Sequence, residues 1–186
     1  LALAASAVGA AGLLSGCNDS GSTRALRPVS SETVALIESK GAKLSSPVLL
    51  RAFKKEAELE VWKMKADGKY VHVKTYPMCR WSGQLGPKRT EGDRQVPEGL
   101  YAISFLNPNS AYHVSMRVNF PNAFDRQMAA KDARKDLGGD IMIHGKNLSA
   151  GCLAMGDEAV EELFVLAAQI GLSNVRLIIA PTDFRV

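Results

Sequence analysis

The chain has 186 residues, of which 46% are hydrophobic and 23% are charged, a composition typical of one folded domain with its own core. This composition excludes a disordered chain and a collagen-like repeat. The formal charge of +4 favours anionic surroundings but is too small to select among a membrane surface, a cell wall and nucleic acid. Three cysteines are an odd count, so a complete disulfide framework is also excluded.

The first 16 residues, LALAASAVGAAGLLSG, are uncharged and resemble the apolar core of a secretory signal peptide. They are too few to span a bilayer as a helix. The four residues from Leu14 to Cys17 resemble the lipobox of bacterial lipoproteins, in which the cysteine receives the lipid. We predict a lipoprotein signal peptide over 1–16, truncated at its start, and lipidation of Cys17. A signal peptide cleaved near an unrelated cysteine is the alternative.

A lipid on Cys17 predicts a periplasmic location for the mature chain. Asn18 follows that cysteine where the inner-membrane retention pattern has aspartate, so the outer membrane is favoured if the source is Gram-negative. Residues 17–45 are predicted to form the lipid anchor, a polar linker and a short helix. Residues 46–182 are predicted to form the folded domain.

Two short helices are predicted at the start of the folded region. The first follows an N-cap at Ser31 and ends before Gly41. The second is predicted over VLLRAFKK, residues 48–55, because Ser46-Pro47 resembles a helix start with proline at the first helical position.

Strand patterns dominate the middle of the chain. Asp67-Gly68 predicts a hairpin turn, because this pair tolerates positive φ. Residues 82–99 are dense in Gly, Pro and charge, so we predict a long loop of the kind that often carries function. The predicted strands are 58–65, 69–76, 100–105, 111–120, 141–143 and 175–180.

One longer helix is predicted between the last two strands. Asp157 is predicted to cap it and Gly171 to end it, and its apolar residues recur at helical spacing. The chain has few helices and no regular βαβ alternation. This pattern predicts a mainly antiparallel β domain of the α+β type with one packed helix.

The segment IMIHGKNLSAGCLAM, residues 141–155, holds His144 and Cys152. A thiol is mostly protonated at neutral pH, so a nucleophilic cysteine needs a base beside it, and histidine suits that role. Gly151 permits a close backbone approach, so the N–H groups of Gly151 and Cys152 are candidates to bind an oxyanion. By spacing alone, the pair also fits a strand followed by a turn and a core cysteine.

The same segment resembles the active-site motif of the L,D-transpeptidase (YkuD-type) catalytic domain. The matching residues are His144-Gly145 and Ser149-Ala150-Gly151-Cys152. The chain is most similar to the YafK-like branch, through the further blocks SGQLGPK, GDRQVPEGLY and YHVSMRVNFPNAFDR in the same order. The resemblance extends over roughly residues 46–180 and implies an antiparallel β-sandwich or barrel-like catalytic domain with one long packed helix and short N-terminal helices.

The resemblance implies a role for each matched residue. Cys152 would be the nucleophile, His144 the general base, and the Gly145 carbonyl the group that orients the imidazole. Ser149 would line the site, and Gly151 would contribute to the oxyanion hole. The implied reaction is acyl transfer through a Cys152 thioester on peptidoglycan stem peptides that contain diaminopimelate. No cofactor is implied, and no metal site is predicted, because the histidines, cysteines and acids show no ligand spacing.

Two positions depart from the motif. Ala150 stands where the motif has a second histidine, and Ala154 stands where it has an arginine. The YafK-like branch shares both departures and includes an enzyme implied to cut the bond between an outer-membrane lipoprotein and diaminopimelate. Three functions therefore stay open: L,D-transpeptidation in cell-wall biogenesis and cell shape, hydrolysis of the diaminopimelate–lipoprotein linkage, and wall binding without catalysis.

The expected partners follow from these alternatives. They are stem peptides, a wall-attached lipoprotein in the hydrolytic case, and a membrane through the lipid anchor; nucleic acid is not expected. Cys79 is predicted to be a structural or partly buried thiol, and His72 to lie on a solvated face. His113 is predicted to be a structural histidine, with a site-facing strand position as the alternative. Arg117 and Arg126 are candidates for binding substrate carboxylates, with surface charge as the alternative. The aromatic residues expected to fill the core or line a groove are Tyr112, Trp62 and Trp81.

Overall fold

The computed structural model of the protein describes residues 27–185. The predicted signal peptide and Cys17 therefore lie outside the described residues. The strands are β1 (Val48–Phe53), β2 (Glu58–Met64), β3 (Tyr70–Pro77), β4 (Gly99–Ser110), β5 (His113–Val118), β6 (Met142–His144), β7 (Leu153–Ala154) and β8 (Val175–Ala180). The helices are α1 (Ser31–Ser39), α2 (Ala123–Lys131) and α3 (Asp157–Ile170), and a 3-10 turn spans Leu172–Asn174.

The eight strands form one open sheet in the order β3-β2-β1-β8-β4-β5-β6-β7. Most neighbours are antiparallel, but β1 pairs with β8 and β6 pairs with β7 in parallel. The prediction of a mainly antiparallel β fold with one long packed helix is confirmed, and the two parallel pairings make the sheet mixed. Within residues 27–185, no helix has the length and apolar character needed to cross a membrane.

The core lies between this sheet and helix α3. Buried residues of α3 include Leu163, Phe164 and Ile170, and the helix packs against β5 and β6. An apolar helical stripe that covers one face of a sheet is the usual way to close such a core. Because β6 carries His144, the packed helix also fixes the strand that bears this histidine.

The predicted second helix over residues 48–55 is wrong, because this segment forms strand β1. Its buried residues Val48, Leu50 and Ala52 alternate along the chain, which is strand periodicity. Hydrogen bonding to β2 and β8 on either side outweighs the local helix signal of Ser46-Pro47. Proline at the entry of a strand is compatible with the sheet, because no N–H has to be donated there, while the Pro47 carbonyl accepts the Met64 N–H at 3.0 Å. One N-terminal helix is therefore present in the described range, not two.

Three smaller differences concern helix ends. Ser30, not Ser31, caps α1, since its side chain accepts the Thr33 N–H. Gly156 precedes α3 with φ of 80°, and Asp157 is the first helical residue rather than the cap. Helix α2, which the sequence patterns did not predict, begins with a capping box between Asn122 and Asp125.

The long loop between β3 and β4 is packed against the domain. The Lys54 side chain is fully buried beneath it, and Nζ donates to the carbonyls of Gly86 and Val96 at 3.0 and 3.1 Å. The same ammonium pairs with Glu98 Oε1 at 2.9 Å. Buried charge is tolerated only with such partners. The loop is therefore packed in a fixed position beside β7.

Candidate active site

The parallel pairing of β6 and β7 brings the two halves of the motif together. Ile143 pairs with Leu153 and His144 with Ala154, so Cys152 precedes Leu153 at the level of Met142. Met142 and His144 point to the same side of β6, because strand residues alternate. Cys152 therefore lies just before the strand that pairs with His144, two residues from the paired Ala154. Cys152 and His144 both line one cavity of about 430 Å³.

His144 is held in one orientation. Its Nδ1 lies 2.6 Å from the Gly145 carbonyl oxygen, which can only accept a hydrogen bond, so Nδ1 carries the proton. The lone pair of the neutral ring is then on Nε2. The Tyr112 ring packs against the imidazole with centroids 4.8 Å apart. Burial lowers the pKa of His144 below its ordinary value of 6.5, and the hydrogen bond to Gly145 opposes that shift only in part.

Gly145 occupies a position with no room for a side chain. A Cβ there would lie 2.5 Å from Asp157 Oδ1 and 2.8 Å from both His113 Cβ and the Tyr112 carbonyl oxygen. The Gly145 N–H donates to the Tyr112 carbonyl at 3.0 Å, which ties this residue to the turn before β5. The requirement for glycine is thus steric, and it places the carbonyl that orients His144.

Cys152 is half-buried at the entrance to β7. Its Sγ lies 3.6 Å from the Asp140 carbonyl oxygen. Burial raises the pKa of the Cys152 thiol above its ordinary value. A lowered histidine pKa and a raised cysteine pKa describe a resting pair of neutral imidazole and neutral thiol. Such a pair needs a proton transfer at the moment of attack, which the free Nε2 of His144 can accept.

The two N–H groups predicted to bind an oxyanion have internal partners in this structure. The Gly151 N–H donates to the Ser82 hydroxyl at 2.6 Å, and the Cys152 N–H donates to the Ser149 hydroxyl at 3.2 Å. Ser149 also donates to the Cys152 carbonyl at 2.6 Å, and the two hydroxyls are 3.0 Å apart. Ser149 therefore lines the same cavity as His144 and Cys152. An oxyanion would have to replace these two hydroxyls.

Ser82 and Arg80 reach the site without having been identified from the sequence pattern. Ser82 belongs to the SGQLGPK block that carries part of the family resemblance, which was its only sequence signal. Arg80 exchanges two backbone hydrogen bonds with Ala154, at 3.2 and 2.9 Å, and its side chain lines the 430 Å³ cavity. The segment before the long loop therefore contacts the Cys152 strand on both sides of the thiol.

The remaining cysteine and histidines lie elsewhere. Cys79 is exposed just after β3, so the prediction that it is partly buried is wrong. His113 Nε2 lies 2.5 Å from Glu161 Oε1 and does not line the cavity. His72 contacts Thr75 at 2.8 Å within β3. In the described part of the chain, no group of three His, Cys, Asp or Glu residues is placed to hold a metal ion.

Some of the candidate arginines and aromatic residues lie at the cavity and others lie away from it. Arg117 pairs with Asp140 at 2.7 Å at the rim of the cavity, and Arg126 lies on α2 outside it. Tyr112 lines the cavity. Trp81 packs against the core below Lys54 Nζ, and Trp62 lies on β2 beneath Arg51.

Residues 53–172 match the family model of the YkuD L,D-transpeptidase catalytic domain. The matched range includes β6, β7, both sides of the cavity and helix α3. The chain belongs to the L,D-transpeptidase catalytic domain family. The resemblance read from the motif is therefore confirmed at the level of the family.

Two relatives from Escherichia coli, strains K12 and O157:H7, carry the name "Putative L,D-transpeptidase YafK". Each is 35% identical over 166 residues, which are 87% of this chain and 62% of the relative. The chain thus spans less than two thirds of the length of these curated relatives.

Two solved structures share the fold. The helical cell shape determining protein Pgp2 from Campylobacter jejuni has a TM-score of 0.59 and 22% identity, and the match covers 81% of this chain and 56% of Pgp2. Bd1075 from Bdellovibrio bacteriovorus has a TM-score of 0.53 and 19% identity, with 74% and 48% covered. These matches establish the fold expected for the family.

Proposed function

We propose that this protein is a cysteine acyltransferase that acts on peptidoglycan stem peptides containing diaminopimelate, as an L,D-transpeptidase. The observation that carries the proposal is the shared cavity of His144 and Cys152, with Nδ1 of the imidazole engaged by Gly145 and Nε2 left to accept a proton. Membership of the family supports the chemistry, and the name of Pgp2, a protein that determines helical cell shape, supports a role at the cell wall.

The first half-reaction forms a thioester. Cys152 Sγ attacks the carbonyl carbon on the carboxyl side of diaminopimelate, and His144 Nε2 takes the thiol proton. The C–S bond forms, the C–N bond to the next residue breaks, and the leaving amine receives the proton from His144. The oxyanion intermediate draws the Gly151 and Cys152 N–H groups away from the hydroxyls of Ser82 and Ser149.

The second half-reaction decides the outcome. An amine from another stem peptide attacks the thioester, loses its proton to His144, and forms a new cross-link while the thiol is restored. Water in the same place gives a free carboxylate instead. The hydrolytic alternative, in which the bond between diaminopimelate and a wall-attached lipoprotein is cut, shares the same acyl-enzyme.

Digestion of purified sacculi tests this proposal. We expect the protein to change the muropeptide pattern measured by mass spectrometry, and the Cys152→Ala variant to change nothing. Cys79→Ala is the matched control, because it removes an exposed thiol outside the cavity and should leave the activity intact. New cross-links identify transpeptidation, whereas freed lipoprotein remnants identify hydrolysis. Binding to sacculi with no change in muropeptides would overturn the enzyme and favour a wall-binding protein.

We further propose that the protein is exported and anchored through a lipid on Cys17. The sequence from Leu14 to Cys17 supports this. In cells fed a radioactive fatty acid, the protein should become labelled and fractionate with membranes. A Cys17→Ser variant should lose the label, and a label retained in that variant would exclude this cysteine as the anchor.

A further inference from the structure

We propose that Arg80 is a receptor for a carboxylate of the bound peptide, so that the cavity selects acyl donors that carry a free carboxylate beside the bond attacked by Cys152. This inference rests on the proposed function for the identity of the peptide. Its physical core, an anion-binding guanidinium next to the nucleophile, can be tested without turnover.

The position of Arg80 is fixed by its main chain. Its N–H donates to the Ala154 carbonyl at 3.2 Å, and its carbonyl accepts the Ala154 N–H at 2.9 Å. Two residues later, the Ser82 hydroxyl accepts the Gly151 N–H. The Arg80 backbone and the Ser82 hydroxyl therefore bond to the Cys152 segment two residues after and one residue before Cys152. A side chain projecting from this backbone is placed relative to the sulfur by the sheet itself.

The charge in the cavity is unbalanced in favour of an anionic ligand. Among the residues that line it, Arg80 is the cationic one, and its guanidinium forms no ion pair with an acidic side chain of residues 27–185. Asp140, the acid of the lining, is already paired with Arg117 at 2.7 Å and is 78% exposed. The Arg80 side chain is exposed, so it retains its freedom to turn towards a ligand.

The chemistry of guanidinium groups identifies the ligand class. The planar fork of arginine donates two parallel hydrogen bonds to a carboxylate, and this match is worth more than a point charge. The lining of the cavity also includes Tyr112, Met142 and Leu148, against which the peptide can pack. The cavity thus combines an apolar side, a nucleophile and one cation, a set of features that fits a short peptide ending in a carboxylate.

Two alkylating reagents that differ in a single group provide the first test. Iodoacetate and iodoacetamide both form an S–CH₂ bond with Cys152 and release iodide, but only iodoacetate carries a carboxylate. The ratio of their rate constants, followed on the tryptic peptide that contains Cys152, measures local attraction of an anion. We expect Arg80→Gln to lower this ratio at least five-fold while leaving the iodoacetamide rate within two-fold of the parent.

Two further variants separate charge from position. Arg126→Gln removes the same charge from helix α2, outside the cavity, and should leave the ratio unchanged. Arg80→Lys keeps the charge and should restore most of the ratio. For the unmodified protein, added salt should lower the ratio, because screening weakens an exposed charge interaction. Arg80→Gln should show a flatter salt dependence.

Donor peptides test the same inference during turnover. We expect the parent protein to use a diaminopimelate peptide with a free terminal carboxylate at least ten-fold more efficiently, by kcat/KM, than the same peptide with a terminal carboxamide. Arg80→Gln should lose this preference through a higher KM for the acid, with the amide unaffected. Arg80→Lys should retain part of the preference.

The outcomes distinguish this inference from the proposed function. Turnover by the parent with an unchanged alkylation ratio and an unchanged acid preference in Arg80→Gln would overturn the receptor and keep the enzyme. A changed alkylation ratio without turnover of any peptide would keep the anion receptor and overturn the proposed function.

Discussion

The hydrogen bond from His144 Nδ1 to the Gly145 carbonyl affects both the tautomer and the pKa of His144. It fixes the tautomer that leaves Nε2 basic, and it does so with a main-chain oxygen rather than a carboxylate. A carboxylate partner would stabilise the imidazolium more strongly and raise its pKa. Here burial lowers the pKa of His144 instead, so the ring stays neutral into mildly acidic solution.

Removal of His144 is expected to slow the thiol. In His144→Ala, the rate of iodoacetamide alkylation of Cys152 at pH 7 should fall about ten-fold or more, because the buried thiol loses the base that accepts its proton. The rate is measured on the tryptic peptide that carries Cys152. His72→Ala, which removes a histidine of β3 outside the cavity, is the control and should alkylate at the parental rate. Equal rates for His144→Ala and the parent would remove His144 from the role of base.

The pH dependence of the same reaction has a definite direction. Alkylation needs neutral His144, and its pKa is lowered, so the rate should persist as pH falls to 6.5 and decline only below that value. The raised pKa of Cys152 means that thiolate forms by itself only above pH 9.0. The His144→Ala variant should therefore show no acid limb and rise only in alkaline solution. A parental rate that halves near pH 7 would contradict this account.

Gly145 is expected to tolerate no larger residue. Gly145→Ala places a Cβ 2.8 Å from the Tyr112 carbonyl oxygen and from His113 Cβ, which should cost about 1–3 kcal/mol of unfolding free energy in urea denaturation. The displaced carbonyl should also slow Cys152 alkylation. Gly139→Ala is the matched control, because a Cβ at Gly139 meets nothing within 4 Å, and its cost should stay within about 0.5 kcal/mol.

The sequence identified some residues of the site but not others. His144, Gly145, Ser149 and Cys152 lie within nine positions, so one motif was enough to connect them. The contact between Ser82 and Gly151 spans 69 positions, and no local pattern signals it. Arg80 was not identified for the same reason, since its approach depends on the order of strands in the sheet.

At the scale of elements, the error at β1 arises because its apolar pattern fits both a helix and a strand. The segment VLLRAF has the same apolar residues whether it is a short buried helix or a central strand, and only the neighbours β2 and β8 decide between them. The hairpin of β2 and β3 and the terminating Gly171 were correctly predicted because their signals are local. Helix α2 was not predicted, because it buries little apolar surface beyond Ala129.

The packing of the long loop between β3 and β4 depends on the buried Lys54 side chain. Lys54→Met should leave the Glu98 carboxylate without its main partner, and we expect a loss of about 3 kcal/mol of unfolding free energy. Proteolysis between residues 82 and 98 should become faster. The double variant Lys54→Met with Glu98→Gln should recover part of the loss, since no unpaired charge remains. Lys55→Met, at the exposed neighbouring position, should change neither measurement.

At the scale of the whole molecule, the buried Lys63 should make the unfolding free energy depend on pH in alkaline solution. Lys63 is fully buried, its Nζ donates to the carbonyls of Leu44 and Ser46, and burial lowers its pKa to about 8 from 10.5. Between these values, the unfolded chain binds the proton more tightly than the folded protein, so stability should rise with pH.

A comparison with Lys63→Met isolates this effect from the other titrating groups. The unfolding free energy of the parent, relative to the variant, should increase between about pH 8 and pH 10.5, by on the order of 3 kcal/mol. Urea denaturation at four pH values across this range measures it. A difference that stays constant, or that falls with pH, would show that the pKa of Lys63 is not lowered in the folded protein.

Strand β8 lies between β1 and β4, although it comes after all the other strands in the chain. Residues 175–180 therefore join two groups of strands within the sheet, β3-β2-β1 on one side and β4 to β7 on the other. Such long-range closure slows folding. During synthesis, Cys152 would be on the emerged chain before the sheet that supports it is complete. The nascent protein would thus pass through an interval in which the Cys152 thiol is present and the cavity around it is not yet formed.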